Sequence, residues 1–281
     1  MKVRGSLSLL LPAVAVYLSF FFLPLAGLLL ESFRLYTPGA IGAAAGAPLT
    51  LANYAELLTP AFARFFLETM RISLLASLAG LFFAFPLAYW ITRRLSARWR
   101  AVAVGFFVTL MFLSVLVRTY ALELTFGAAG PLRPFLLALG ISPNSRGYIE
   151  MLVGAGLLHY IVPMATLTLL GTIQNVDPRL VDAAQALGAP AWKAHLTITL
   201  PLCMRGLLAA FLFAFTFSIS AFVIPMILGK GRVLFISNLI YSRFSEIADY
   251  PSGAAISIVL FAVALAIVYA MSRHVAKRWT P

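Results

Sequence analysis

The feature that most restricts what this chain can fold into is the recurrence of long segments with no formal charge. Residues 5–30, 72–92, 101–117, 151–176, 206–229 and 250–272 contain no Asp, Glu, Lys or Arg. About 20 apolar residues in a helix cross ~30 Å of hydrocarbon, and a helix satisfies its own backbone N–H and C=O groups where no water is present. The expected fold is therefore all-α and integral to a membrane. Six transmembrane helices are expected, at about 7–30, 72–92, 101–119, 151–174, 206–228 and 251–272, in a single transmembrane domain covering 1–281.

Composition agrees. With 62% hydrophobic residues, 11% charged residues and a mean hydropathy of +0.97, the chain lies outside the soluble globular range. A formal charge of +12 raises the question of nucleic acid. The basic residues, however, sit in short clusters that flank the apolar runs, which fits membrane topology and anionic lipid and not a folded basic face. The first run is too long for the ~7–15-residue apolar core of a cleaved signal peptide, and is read as a span kinked at Pro12 and Pro24.

An even number of spans puts both termini on one side. Four arginines in RRLSARWR (93–100), the basic end at 1–4, and Arg273, Lys277 and Arg278 mark that side as cytoplasmic by the positive-inside rule. The intervening outer segments hold Phe62, Phe65 and Phe66, read as a short interfacial helix before the second span. They also hold VLFISNLIYSRF (233–244), whose Leu234, Ile236, Leu239 and Ile240 suggest an amphipathic turn at the interface, with a re-entrant lid as the other reading.

Several chemistries are disfavoured. Single Cys203 excludes an intrachain disulfide, and His159, His195 and His274 are too scattered to form a metal cluster. Ser, His and Asp occur without triad logic, so no enzyme activity is expected of the chain itself. Within the charge-free runs the only histidine is His159, so the midplane acids and bases of an ion-coupled transporter are missing. Energy for uphill transport would have to come from outside. No GxxxxGK[ST] phosphate loop is present, which assigns any ATPase to a separate polypeptide.

Two groups suggest a solute route. In VRTYALEL (117–124), Tyr120 and Glu123 are three residues apart and share a helical face, where a carboxylate beside an aromatic ring suits an ammonium group. An Arg118–Glu123 ion pair or simple aromatic anchoring accounts for the same residues. His159, beside Tyr160 and Pro163, is either a gate or a packing histidine. Glu31, Glu56, Glu68, Glu123, Glu150, Glu246 and Asp249 lie in outer segments that would suit a cation, although nine basic residues there offset them.

The longest patterned polar interruption is NVDPRLVDAAQALGAPAWKAHLTITLP (175–201). Asp177 reads as a helix N-cap with Pro178 next, and Leu180, Val181, Ala184 and Leu187 fall on one face. Gly188 supplies a left-handed stop, and Pro190 opens a second helix expected to end before Leu200–Pro201. Alanines 183, 184, 186, 189 and 191 keep the tip narrow enough for helix-in-groove docking, while a plain surface hairpin explains the same residues.

The spacing Asp182-Ala183-Ala184, three residues, Gly188, nine residues, Ile198, one residue, Leu200-Pro201 resembles the EAA loop of binding-protein-dependent ABC importer permeases, with Asp182 in place of the usual glutamate. LANYAELL (51–58), FPLAYWITRR (85–94), VRTYALEL and YPSGAAISIVL (250–260) are similar to the spermidine/putrescine branch of that family. The resemblance implies a type I ABC importer permease with the MetI-like fold in a bacterial inner membrane, and a cytoplasmic coupling loop at 177–199. It implies ATPase-coupling roles for Asp182, Ala183, Ala184, Leu187, Gly188, Ala189 and Trp192. It also implies an ABC ATPase dimer, a second homologous permease forming a heterodimer, and an extracytoplasmic substrate-binding protein as partners. No cofactor is expected on this chain, with ATP and Mg on the ATPase. Polyamine is the first expectation for cargo; related permeases serve ferric iron, phosphonates and other small organic solutes. A channel or a scaffold subunit is the alternative from another class, distinguished by solute flux without ATP or by the absence of substrate-dependent ATP hydrolysis.

Overall fold

The charge-free runs fold as helices, but not all of them run straight. The computed structural model describes residues 12–279, with side chains to 273. The basic end at 1–4, the start of the first expected span and the side chains of Lys277 and Arg278 lie outside the described residues. Four helices are each long and apolar enough to cross a membrane: α1 (Pro12–Ser32), α3 (Pro60–Arg93), α7 (Arg146–Gln174) and α13 (Tyr250–Trp279), the last through Arg273. Two further candidates are bent pairs. α4 (Ala97–Phe112) and α5 (Val115–Phe126) meet at 91°, and α9 (Ala191–Leu202) and α10 (Met204–Ser220) meet at 72°. Short helices α2 (Ala52–Glu56), α6 (Arg133–Ala138), α8 (Arg179–Ala186), α11 (Val223–Leu228) and α12 (Ile236–Tyr241) fill the connections. Among the described residues there is no sheet, only two isolated bridges, Arg34 with Leu49 and Tyr36 with Ala43.

Three expectations change. The expected third span, 101–119, breaks at Leu113 and Ser114, both in extended backbone, so it is two helices and not one rod. The expected fifth, 206–228, is interrupted at Ala221, which is also extended. The carbonyls at the break accept from α12: Ser237 Oγ donates to Ala221 O at 2.6 Å, and Asn238 Nδ2 donates at 3.1 Å to Phe222 O, which also accepts from Met226 N. This is how a broken helix persists in hydrocarbon, with side chains satisfying the groups that the helix released. Finally, Phe62, Phe65 and Phe66 belong to α3 itself: Pro60 opens that helix, and no glycine or proline interrupts it before Gly80.

The chain divides into two units, one of residues up to 64 with 239–263, the other of 65–238 with the residues from 264 onward. In the first unit, buried Asn53 on α2 closes the end of α1, its Nδ2 donating to the carbonyls of Ser32 at 2.8 Å and Arg34 at 2.9 Å. Ser32 and Tyr54 share a hydroxyl bond of 2.7 Å. Arg243 pairs with Glu56 and, at 3.3 Å, with Asp249, whose other oxygen caps α13 by accepting from Ser252 N at 3.0 Å.

The second unit is built around α7, which touches α4, α5, α10 and α11. In lipid there is little hydrophobic drive between helices, so close packing of small residues sets the association. Ala84 and Ala88 on α3, Ala165 on α7, and Ala210 and Ala214 on α10 are all fully buried. Gly206 is the closest approach: a Cβ there would stand 2.1 Å from Thr172 Oγ1 on α7. Large side chains such as Phe82 and Phe112 remain exposed on the outside of these helices, as a lipid-facing surface requires. The start of the 233–244 segment is buried within the protein. Val233, Phe235 and Ile236 are fully buried, and Ile236 N donates to Thr69 Oγ1 at 3.0 Å, because the segment plugs the break after α10.

Candidate functional site

The hairpin α8–α9 is shaped by local chemistry. Asp177 Oδ1 accepts from Arg179 N at 2.9 Å, satisfying a first-turn donor of α8. The helix ends in a double bond pattern, Gly188 N to Gln185 O at 2.9 Å and Ala189 N to Ala184 O at 3.0 Å, with Gly188 at φ +90°. That is a Schellman stop, which a residue bearing a Cβ adopts only under strain. Pro190, in extended backbone, turns the chain into α9. The second helix does not stop before Pro201 as expected. A π-turn at His195–Thr199 absorbs the missing proline donor, and α9 continues to Leu202.

The hairpin is anchored at its base and open at its tip. Val181 and Ala194 are buried, whereas Asp182, Ala183 and Gly188 are exposed, Leu187 is 90% exposed and Trp192 66% exposed. Ala184 and Ala189 are half-buried, and Leu180, expected on the same face as Val181, is exposed. An apolar leucine and tryptophan on a narrow, alanine-flanked turn form a surface suited to a groove on another protein.

One element grips both sides of this hairpin. Arg93, the last residue of α3, donates from Nη2 to Ile173 O at 2.6 Å and to Val176 O, where α7 ends and the hairpin begins. One turn earlier on α3, the Tyr89 ring meets the His195 ring edge-on, with centroids 4.7 Å apart, where the hairpin returns through the π-turn. His195 Nδ1 is also 3.2 Å from Thr199 Oγ1. In the sequence Arg93 reads only as one of the cytoplasmic arginines of 93–100, and Tyr89 and His195 carry no role at the hairpin. The available signal was the i, i+4 placement of Tyr89 and Arg93 at the end of an apolar run.

The expected solute-route residues Tyr120, Glu123 and His159 each have neighbours from their own chain. Glu123 already holds an ammonium from its own chain, Lys230 Nζ, at 2.6 Å. Tyr120 is 54% exposed, and among the described residues Arg118 pairs with neither Glu123 nor any other carboxylate but lies over the Tyr160 ring. His159 lines a small cavity with Arg118. The other outer acids are likewise engaged. Glu68 and Glu150 bind Arg146 at 2.5 and 3.4 Å, Glu150 also binds Arg71 at 2.6 Å, and Glu31 binds Arg34 at 3.4 Å. Glu246 accepts from Ser242 Oγ at 2.5 Å. Intrachain pairing, invisible to a count of charges, has used the acids that looked free.

Multiple apolar helices, one break among them stitched by side chains, together with a projecting apolar hairpin define a multi-pass membrane protein. The chain belongs to the family described as binding-protein-dependent transport system inner membrane component, whose model matches residues 84–281. It is 31% identical over 213 residues to the spermidine/putrescine transport system permease protein PotB of Escherichia coli strain K12, covering 75% of this chain and 77% of that protein. The PotB of Haemophilus influenzae is 29% identical over 227 residues, covering 79% of each. In fold, the chain is similar to a bacterial alginate ABC transporter solved in complex with an alginate pentasaccharide-bound periplasmic protein, with a TM-score of 0.74 at 21% identity, covering 98% of this chain and 94% of that one. The protein is thus a multi-pass inner-membrane component of a binding-protein-dependent transport system.

Proposed function

We propose that the chain is the permease subunit of an ATP-driven importer that moves a polyamine, spermidine or putrescine, from an extracytoplasmic binding protein into the cytoplasm. The observation that carries this reading is the exposed Gly188 hairpin, in a chain 31% identical to PotB over three quarters of its length. ATP and Mg act on a separate ATPase dimer. The tip residues Leu187 and Trp192, with Ala183, Ala184 and Ala189, enter a groove on that ATPase; Asp182 meets a basic or N–H partner at the rim. A second, related permease completes the pathway as a heterodimer, and both termini lie on the cytoplasmic side with the hairpin.

Motion of the ATPases is passed inward through Arg93 and Tyr89. Because α3 holds the entry and the return of the hairpin, displacing the tip tilts α3 and, through Arg93, the end of α7. Mild-detergent purification from the native host tests the reading. An ATPase with a GxxxxGK[ST] loop and a second multi-span permease should copurify with the wild type, and the ATPase should be lost in Gly188→Val. A protein that purifies alone would favour a channel or scaffold subunit.

A further inference from the structure

Arg118 is the only buried Lys or Arg among the described residues, with 5% of its surface exposed. It sits in the first turn of α5, inside the bent span pair. Nε, Nη1 and Nη2 are all closed off from solvent, and none has a hydrogen-bond acceptor. The guanidinium carbon lies 5.0 Å from the centroid of Tyr160, whose ring stacks on Phe217 at 3.9 Å. That contact answers one face of the cation and leaves the five in-plane N–H donors unanswered.

A guanidinium stays protonated, so it cannot avoid the cost of burial by neutralising, and a buried charge persists only with a counter-charge and hydrogen-bond partners. No carboxylate supplies them: none of the ion pairs among the described residues includes Arg118, and Glu123 on the same helix is held by Lys230. Beside the guanidinium is a cavity of about 10 Å³, lined by Arg118, Thr119, His159 and Tyr160 with aliphatic walls and no acid. The hydroxyl proton of Thr119 is committed to Val115 O at 2.7 Å. This space is at about the lower limit for a single water-sized guest, far too small for a phosphate or a polyamine, and a larger guest needs the walls to yield slightly.

The geometry points to a chloride site: a dehydrated halide in the plane of the Arg118 guanidinium, accepting from its N–H groups, with a His159 ring N–H as a further donor. A water molecule, the smaller guest, would accept hydrogen bonds but bring no counter-charge. The halide therefore completes the packing of α5 against α7, fixing the bent half-span in place.

The test is thermal unfolding of the full-length protein in detergent, in sodium chloride, sodium bromide and sodium gluconate at equal ionic strength. Chloride and bromide should raise the midpoint saturably, on the order of 5 °C, relative to gluconate, and the rise should vanish in Arg118→Met. Bromide-soaked crystals of the wild type should show an anomalous peak in the guanidinium plane, a result that does not depend on the variant folding. Equal midpoints in all three salts, a halide effect that persists in Arg118→Met, or a water alone at the position would overturn the assignment.

Discussion

Arg93 at the end of α3 donates to the carbonyl of Val176, the residue from which the exposed hairpin departs. The same nitrogen holds Ile173 O at 2.6 Å, so a single guanidinium fixes the last turn of α7 against α3. Hydrogen bonds to a charged group contribute about 1.5–3 kcal/mol each. Replacing Arg93 by Met should leave the protein inserted and bound to its ATPase, but lower the ratio of solute imported to ATP hydrolysed several-fold. Arg93→Lys should recover part of that ratio. An unchanged ratio in Arg93→Met, measured in proteoliposomes, would remove Arg93 from the transmission route.

Gly188 holds φ +90° at the hairpin stop, with nothing within 4 Å of the position a Cβ would occupy. A substitution there strains the backbone without crowding a neighbour. The left-handed conformation costs a non-glycine residue about 1–2 kcal/mol, more for a β-branched one. Gly188→Val should therefore weaken ATPase capture while leaving the melting temperature nearly unchanged, and Gly188→Asn, which tolerates this conformation better, should be milder. A large fall in melting temperature together with normal ATPase capture would contradict this account.

The Glu123–Lys230 pair is partly buried, the two side chains being 22% and 28% exposed. Removing one partner leaves the other without a counter-charge, at a cost of about 1–3 kcal/mol at this exposure. Glu123→Gln and Lys230→Met should each lower thermal stability, and the double variant should lie closer to wild type than the sum of the two. If Glu123 instead received the cargo, Glu123→Gln would raise KM for polyamine with little effect on stability, and Lys230→Met would not compensate.

Close packing of α10 on α7 makes Gly206 sensitive to a single methyl group. A Cβ there would meet Thr172 Oγ1 at 2.1 Å and Cγ2 at 2.5 Å. Overpacking of this kind costs about 1–3 kcal/mol. Gly206→Ala should reduce the folded yield in detergent, and adding Thr172→Ala should restore part of it. Thr172→Ala alone should be nearly neutral.

What the sequence made legible follows from range of interaction. The hairpin was readable because Asp177, Pro178, Gly188 and Pro190 act within a turn or two of themselves. The long helices were readable because hydrocarbon imposes a length and an absence of charge. The breaks at Leu113–Ser114 and Ala221 were not, since no glycine or proline stands at either, and at Ala221 the repair comes from distant side chains, Ser237 and Asn238. Segment 233–244 looked amphipathic at an interface because Ile236 and its neighbours give no local hint that they plug a gap. The acids looked available for a cation because the pairing of Glu123 with Lys230, or of Glu68 with Arg146, joins residues far apart in sequence. The continuation of α9 past Pro201 rests on a π-turn that no residue in it demands.

The central claim is that the Gly188 hairpin couples a separate ATPase to polyamine import through this chain. Its most direct test is uptake of labelled spermidine into proteoliposomes that hold the chain with its partner permease, to which the ATPase and the binding protein are added in equal amounts, with and without ATP, for the wild type and Gly188→Val. The account predicts uptake that requires ATP in the wild type and is lost in the variant, even though the variant chain is inserted to the same level. Spermidine entry without ATP, or ATP-driven entry that is undiminished in Gly188→Val, would contradict it.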